Sequence, residues 1–352
     1  MSEPGTWSTN TTLEEIARLM RGRRVVVMTH VRPDGDAIGS TLALTRALNI
    51  AKPGAAEAWY FGPQPLWFKD LAKDTPCRLL EHTTVPPPDA ITEPDVIAIL
   101  DTGSWTQLEP GATWLRPRRD RVVLVDHHVQ GDAEVAGRRF IDTGAAAACQ
   151  PVAELCRLIL GKSRVGELPR EVAETLYLGI GTDTGWFKHS NVTPRVLRDA
   201  AELLETGVDH SELFRVIEQQ DRPARLALLG RALATLRFDA KDSIASMVLT
   251  KKDFDECNAA PGDASGFADY AQTIASVRVV AMLTETERDA QGRPVTKISL
   301  RSKNTPDSPD VNKVCKVFGG GGHVRASGAR IQAEIGEARC RVVEELAKAR
   351  GV

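Results

Sequence analysis

The sequence predicts an α/β protein of two domains, an N-terminal domain on a parallel sheet and a smaller C-terminal α/β domain, with a cleft between them. Three observations predict this. Short β-branched runs, apolar on both faces and separated by helical stretches, fill the first half, as in a parallel sheet covered on both sides. Helical patterns dominate from about Ala146 to Leu236, and strand-like runs return from about Arg237. The 352 residues suffice for two domains of ordinary size. The expected division is 1–190, a helical linker over 191–230, and 231–352.

The elements follow in order. Thr12-Leu-Glu-Glu15 reads as a capping box that opens a first helix. Val25–Thr29, Glu57–Phe61, Val96–Leu100 and Val122–Val125 read as strands, and Ala37–Asn49 as a helix. The proline-rich stretch 83–95 reads as a connection, because another strand follows at once. Glu171–Ile180 is a helix leading into GTDTG, and Pro194–Glu205 a second leading into Gly207. In the second domain, strands are expected at Ile244–Leu249, Val277–Leu283 and Val295–Leu300. A helix is expected near Ala268–Ser276, and a glycine run closes the pattern at 319–322.

Composition excludes several classes. Apolar residues make up 42% and charged residues 26%, which is neither disordered nor membrane-like. No apolar window is long enough to span a bilayer, and the N-terminus lacks the pattern of a signal peptide. The six cysteines form no C-x-x-C pair, which suits reduced thiols in a cytoplasm. A net charge of −2 gives no footprint for long nucleic acid. The basic runs at 21–24, 116–121 and 138–139 read as solvated faces.

Three polar groups follow apolar strands directly: His30 after VVVMT, Asp101 after VIAIL, and Asp126-His127-His128 after VVLV. Asp34 and Asp36 come just after His30. Ligands bind outside the carboxyl ends of an open parallel sheet, so these residues converge. Asp183, in GIGTDTGWF, is a further candidate, with glycines expected to give its backbone freedom to turn inward. Singly each has a plain explanation: Asp36, for example, would cap the helix beginning near Ala37. Together, five carboxylates and three imidazoles would repel one another unless cations bind. Carboxylates with few imidazoles and no thiolate suit Mn²⁺ or Mg²⁺. The ligand count exceeds the needs of one ion, which suggests two, roughly 3.5–4 Å apart.

These residues resemble the ordered motifs of the DHH phosphoesterase superfamily: His30-x-x-x-Asp34-x-Asp36, Asp101, Asp126-His127-His128 and Thr182-Asp183-Thr184-Gly185. FGGGGHVRASGA, residues 318–329, is similar to the closing motif of the DHH-associated domain. The nearest subgroup is the nanoRNase/pAp phosphatase, or NrnA-like, type. The resemblance implies that His30 and Asp34 hold one Mn²⁺, Asp36, His127 and Asp183 the other, and that Asp101 bridges both. It makes Asp126 the partner that orients His127, and turns His128 to the substrate phosphate or the leaving oxygen. Mg²⁺ or Co²⁺ are substitutes.

In the second domain, the N–H groups of Gly319, Gly320, Gly321 and Gly322 could cradle an anion. His323 follows at once, and Arg301 ends a strand where a bidentate phosphate contact is available. By resemblance, Arg301, His323 and the glycines bind the nucleotide. Ala326-Ser327-Gly328 departs from the usual Ala-Ala-Gly, and Arg325 is an extra cation of open role. The expected function is a cytoplasmic, two-metal, Mn²⁺-dependent hydrolase of short RNA and 3′-phosphoadenosine 5′-phosphate (pAp). The alternatives are a cyclic- or linear-dinucleotide phosphodiesterase and, from another class, a non-catalytic nucleotide-binding protein. A homodimer is compatible with this reading, although no residue argues for one.

Overall fold

The computed structural model of the protein describes residues 6–80, 90–91 and 93–351. Most of the proline-rich stretch 83–95 lies outside the described residues. Strands β1 (Val25–Met28), β2 (Ala56–Phe61), β3 (Cys77–Leu80), β4 (Val96–Leu100), β5 (Val122–Asp126) and β6 (Arg138–Ile141) form one sheet. Their order is β3-β2-β1-β4-β5-β6, and every neighbouring pair is parallel. Each central strand feeds two cores. Val25 and Val27 of β1, with Val96, Ala98 and Leu100 of β4, face one; Val26, Met28, Ile97 and Ile99 face the other. Full burial of each such aliphatic side chain contributes roughly 1.5–3 kcal/mol, which is why these strands read as unbroken apolar runs.

The edge strands escaped the sequence reading for the opposite reason. β3 and β6 are half-exposed and begin Cys-Arg and Arg-Arg, as edges that discourage further pairing often do. Arg139 corrects the expectation of a solvated basic run. It is buried, and its guanidinium donates to the carbonyls of Ala133 and Ala136. In the run 116–121, Arg118 and Arg121 share Glu93 as an ion-pair partner.

The chain divides into two compact units, one ending at Gln220 and one beginning at Asp221. The expected linker is not a separate element. Val196, Ala200, Leu203 and Leu213 of helices Pro194–Glu205 and His210–Glu218 join the first unit's core. Leu228, Leu229 and Ala232 of helix Pro223–Ala234 join the second's. The second unit carries β7 (Arg237–Asp239), β8 (Ile244–Leu249), β9 (Val279–Glu285), β10 (Thr296–Ser302), β11 (Gly321–His323) and β12 (Ala326–Ile331). These form a mixed sheet in the order β11-β12-β10-β9-β8-β7, in which β8 and β9 pair in parallel. Helices Val311–Val317 and Ile335–Arg350 cover one face, while helices Pro223–Ala234, Lys251–Cys257 and Phe267–Gln272 cover the other. Among the described residues, no helix is long and apolar enough to cross a membrane. All six cysteines are free.

Candidate metal centre

The order of the first sheet reverses between β1 and β4, and at such a switch point the loops beyond the strand ends part to leave a crevice. His30 lies just beyond β1. Its Nδ1–H donates to the Val31 carbonyl at 3.0 Å, which leaves Nε2 to face the carboxylates. Asp34 is the N-cap of helix Gly35–Ala51, and its Oδ1 accepts the N–H groups of Asp36 and Ala37, both at 3.1 Å. The cap is therefore Asp34, one residue before the helix, and not Asp36 as expected. Asp36 is fully buried in the first turn, where the amino end of helix Cys149–Leu160 holds it. Ala148 N–H donates to its Oδ2 at 2.5 Å and Cys149 N–H to its Oδ1 at 2.9 Å.

Asp101 follows β4 with a φ of 61°, a left-handed conformation that costs a non-glycine residue on the order of 1–3 kcal/mol. Its N–H donates to the Val125 carbonyl of β5 at 3.1 Å. The strained turn aims the buried carboxylate between two imidazoles: Oδ2 lies 3.6 Å from His30 Nε2, and Oδ1 lies 3.3 Å from His127 Nε2. His127 Nε2 also lies 3.8 Å from Asp36 Oδ2 and 3.5 Å from Asp183 Oδ2. Asp126 departs from the expected role. Its Oδ1 accepts from the ring Nδ1 of His128 at 2.7 Å and from both backbone N–H groups of the histidine pair. What faces the His127 Nδ1 is the Ala145 carbonyl, 3.4 Å away. The buried carboxylate thus orients His128, whose side chain is 51% exposed against 13% for His127.

Asp183 is the last residue of helix Arg170–Asp183, so its direction is set by the helix rather than by backbone freedom before it. Of the glycines around it, Gly185 does take a left-handed φ of 56°, while Gly179, like Gly39 of the facing helix, serves close packing instead. A Cβ on Gly39 would overlap the Thr175 carbonyl, and one on Gly179 would overlap Cys149 Sγ. Their absence lets helices Gly35–Ala51 and Arg170–Asp183 pack backbone to backbone, which brings Asp183 to Asp36. Beyond the helix, Asn191 Nδ2 donates to the Asp183 carbonyl at 3.1 Å. The sequence reading missed Val31, Ala145, Ala148 and Cys149 because they act through backbone groups. The one available signal was the alanine run 145–148 before an apolar helix.

Electrostatics fit a cation site. Burial works against charge on His30, but Asp101, the Val31 carbonyl and Asp34 outweigh it and raise its pKa to about 9. The same opposition, with Asp101, Asp36 and Asp183 as the favouring groups, raises that of His127 to about 10. Burial and the neighbouring carboxylates of Asp101 and Asp183 push Asp36 well up; burial, Asp101 and Asp34 push Asp183 to about 7. Without a cation, protons must balance the carboxylates. Asp101 Oδ1 and Asp126 Oδ2 are buried without a hydrogen bond, an arrangement that is costly unless another partner binds. His30, Asp34 and Asp101 form one group whose ligand atoms lie within 4.8 Å of one another; Asp36, His127 and Asp183 form a second. A third group joins Asp101 and His127 to Asp126 and His128. All-oxygen and imidazole donors suit a divalent Mn²⁺- or Mg²⁺-like ion.

In the second unit, Arg301 of β10 stands opposite Ala326 of β12, which stands opposite His323 of β11. Residues opposite one another across a ladder share a face, so Arg301 and His323 share one, about 10 Å apart across two strand spacings. Among the described residues, Arg301 has no carboxylate partner; its guanidinium donates to the Leu300 carbonyl at 3.2 Å. The glycine run is not a free cradle. Gly319 N–H and Gly320 N–H donate to the Lys316 and Cys315 carbonyls at the end of helix Val311–Val317, while Gly321 and Gly322 pair with β12. Glycine is required here for close approach: a Cβ on Gly320 would overlap the Gly328 carbonyl. Ser327 Oγ donates to the His323 carbonyl at 2.7 Å, bracing the hairpin, and Arg325 ties its tip to the Ser308 carbonyl at 3.1 Å.

Residues 24–180 match the model of the DHH family, N-terminal domain, and residues 242–349 that of the DHHA1 domain. The chain is 30% identical to the bifunctional oligoribonuclease and PAP phosphatase NrnA of Thermus thermophilus, over 98% of this chain and 95% of that protein. It is 26% identical to the Bacillus subtilis protein of the same name, over 87% of this chain and 89% of that one. The fold is that of an exopolyphosphatase-related protein from Bacteroides fragilis (TM-score 0.85, 24% identity, 100% of this chain and 99% of that one). It is shared more distantly by a crystal structure of exonuclease RecJ bound to manganese (TM-score 0.54, 17% identity, 96% and 94%). The chain therefore belongs to the DHH phosphoesterase family, as a hydrolase that joins an N-terminal DHH domain to a C-terminal DHHA1 domain.

Proposed function

We propose that this protein hydrolyses very short oligoribonucleotides to mononucleotides and pAp to AMP, using two divalent cations, with Mn²⁺ preferred. The observation that carries the reading is the meeting of two ligand groups at one residue: His30 and Asp34 on one side of Asp101, and Asp36, His127 and Asp183 on the other. Held by His30, Asp34, Asp36, Asp101, His127 and Asp183, a pair of divalent ions would supply Lewis acidity toward a phosphoryl oxygen and lower the pKa of a water. The chain's own residues do the rest. Val31 and Ala145 fix the orientation of the two ligand imidazoles, and the amides of Ala148 and Cys149 fix Asp36. Asp126 holds the half-exposed His128 with Nε2 free, and that atom delivers a proton to the leaving oxygen.

Arg301 and His323, on one face of the second sheet, bind the substrate's non-reacting phosphate. Names of relatives similar over most of the chain support the choice of substrate. A net charge of −2 supports a short oligonucleotide, which needs few phosphate contacts. The test is a side-by-side turnover assay with Mn²⁺ on pAp, a 5′-labelled RNA dinucleotide and trinucleotide, a cyclic dinucleotide and pyrophosphate. Release of AMP and mononucleotides is expected. Preference for the cyclic dinucleotide would contradict the substrate while keeping the site. No turnover with metal bound would leave a nucleotide-binding protein.

A further inference from the structure

The segment before the first helix lies outside the stretch that matches the DHH model, yet it reaches the catalytic loops. It is pinned to edge strand β6 at several points. Asn10 N–H donates to the Arg139 carbonyl at 2.9 Å, and Asn10 Oδ1 accepts the Arg139 N–H at 2.7 Å. Thr9 Oγ1 donates to the Ile141 carbonyl at 2.9 Å and accepts its N–H at 2.8 Å. The buried Arg139 also donates to the Thr6 carbonyl, at 3.4 Å.

This strap delivers one large side chain. Trp7 packs against the core on the face of the first sheet that carries Met28 and Ile99. Its indole N–H donates to the carbonyl of His128 at 2.9 Å. The ring occupies the space that a Cβ on either Gly103 or Gly131 would fill. Those glycines sit in the loops after β4 and β5, two residues beyond Asp101 and three beyond His128. The loops are stitched there: Asp132 N–H donates to the Gly103 carbonyl at 2.7 Å, and Trp105 N–H to Asp132 Oδ2 at 2.8 Å. Trp7 lies across that seam with a hydrogen bond to the backbone of the exposed imidazole.

We infer that Trp7 is a positioning residue for His128, set by a strap that precedes the stretch matching the DHH family model. The inference rests on the proposed role of His128 as the proton donor to the leaving oxygen. The strap fixes where the His128 carbonyl sits, and Asp126 fixes the ring from the other side. Loss of the indole frees the backbone at the point where a small displacement matters most.

The test is a double-mutant cycle on the full chain with Mn²⁺ and pAp, reading kcat and KM for Trp7→Ala, His128→Ala and the pair. Misplacement by about 1 Å can cost two orders of magnitude, so Trp7→Ala is expected to lower kcat roughly tenfold or more and KM by less than about twofold. In the His128→Ala background the same change should have almost no further effect, because the group it positions is gone. Trp7→Phe, which keeps most of the wedge but loses the N–H donor, should fall between. It also serves as the folding-safe variant, checked by thermal unfolding. Additive losses in the cycle would overturn the inference, as would a change confined to KM. A His128→Ala variant with full kcat would instead remove the proposed proton donor, and the inference with it.

Discussion

Asp101 is the residue on which most of the chemistry converges, and its cost is visible in its backbone. A non-glycine residue with a φ of 61° is tolerated only where the surroundings hold it, and here the Val125 carbonyl and two imidazoles do so. The carboxylates and imidazoles were legible in the sequence because His30, Asp101 and Asp126-His127-His128 each follow an apolar run, with Asp34 and Asp36 close behind the first. Their partners were not, since a backbone carbonyl or amide belongs to no residue type. Asp126 shows the limit: its place beside two histidines was plain, but which ring it grips depends on a turn that spacing does not specify. Arg301 carries a prediction at this scale. With no carboxylate partner among the described residues, its guanidinium is available to a phosphate. A hydrogen bond to a charged group contributes about 1.5–3 kcal/mol, so Arg301→Ala should raise KM roughly ten- to hundredfold. Bound Mn²⁺, measured by equilibrium dialysis, should be unchanged; a loss of metal at constant KM would refute the assignment.

At the scale of elements, helices Gly35–Ala51 and Arg170–Asp183 are held together by the side chains they lack. Helix propensity alone would have Ala stabilise position 39 by about 1 kcal/mol over glycine. The Thr175 carbonyl decides otherwise, because a Cβ would overlap it. Gly39→Ala should therefore destabilise the protein by about 1–3 kcal/mol in urea unfolding, as overpacking does. It should weaken Mn²⁺ binding as well, since it parts Asp36 from Asp183. A stabilised variant with unchanged metal affinity would show that the two helices are free to slide apart. The sequence marked both helices but read the glycines around Asp183 only as a source of backbone freedom; close packing and flexibility leave the same letter. Central strands of the first sheet and β8, β9 and β10 of the second were legible, whereas β3, β6, β7, β11 and β12 lack the apolar run that announces a buried strand.

For the whole molecule, each unit has its own sheet with cores on both faces, the condition for folding alone. A fragment covering 221–352 should unfold cooperatively by heat and bind no Mn²⁺. One covering the residues to Gln220 should bind the metal but turn over pAp with a much raised KM. A fragment 221–352 that stays unfolded would mean that its two cores do not suffice. The existence of two domains was legible from the change of texture near Arg237. Their border was less so, because the helices between them look alike in sequence and are sorted only by the core that each one joins.

The account stands or falls on Asp101 serving two cations at once. The direct measurement is the Mn²⁺ stoichiometry of the full chain and of Asp101→Ala, by equilibrium dialysis, alongside turnover of pAp. Two ions per chain are expected in the unaltered protein, with fewer than one and no detectable turnover in Asp101→Ala, whereas His128→Ala should keep both ions and a residual rate. One ion in the unaltered protein, or two retained in Asp101→Ala, would contradict the shared site.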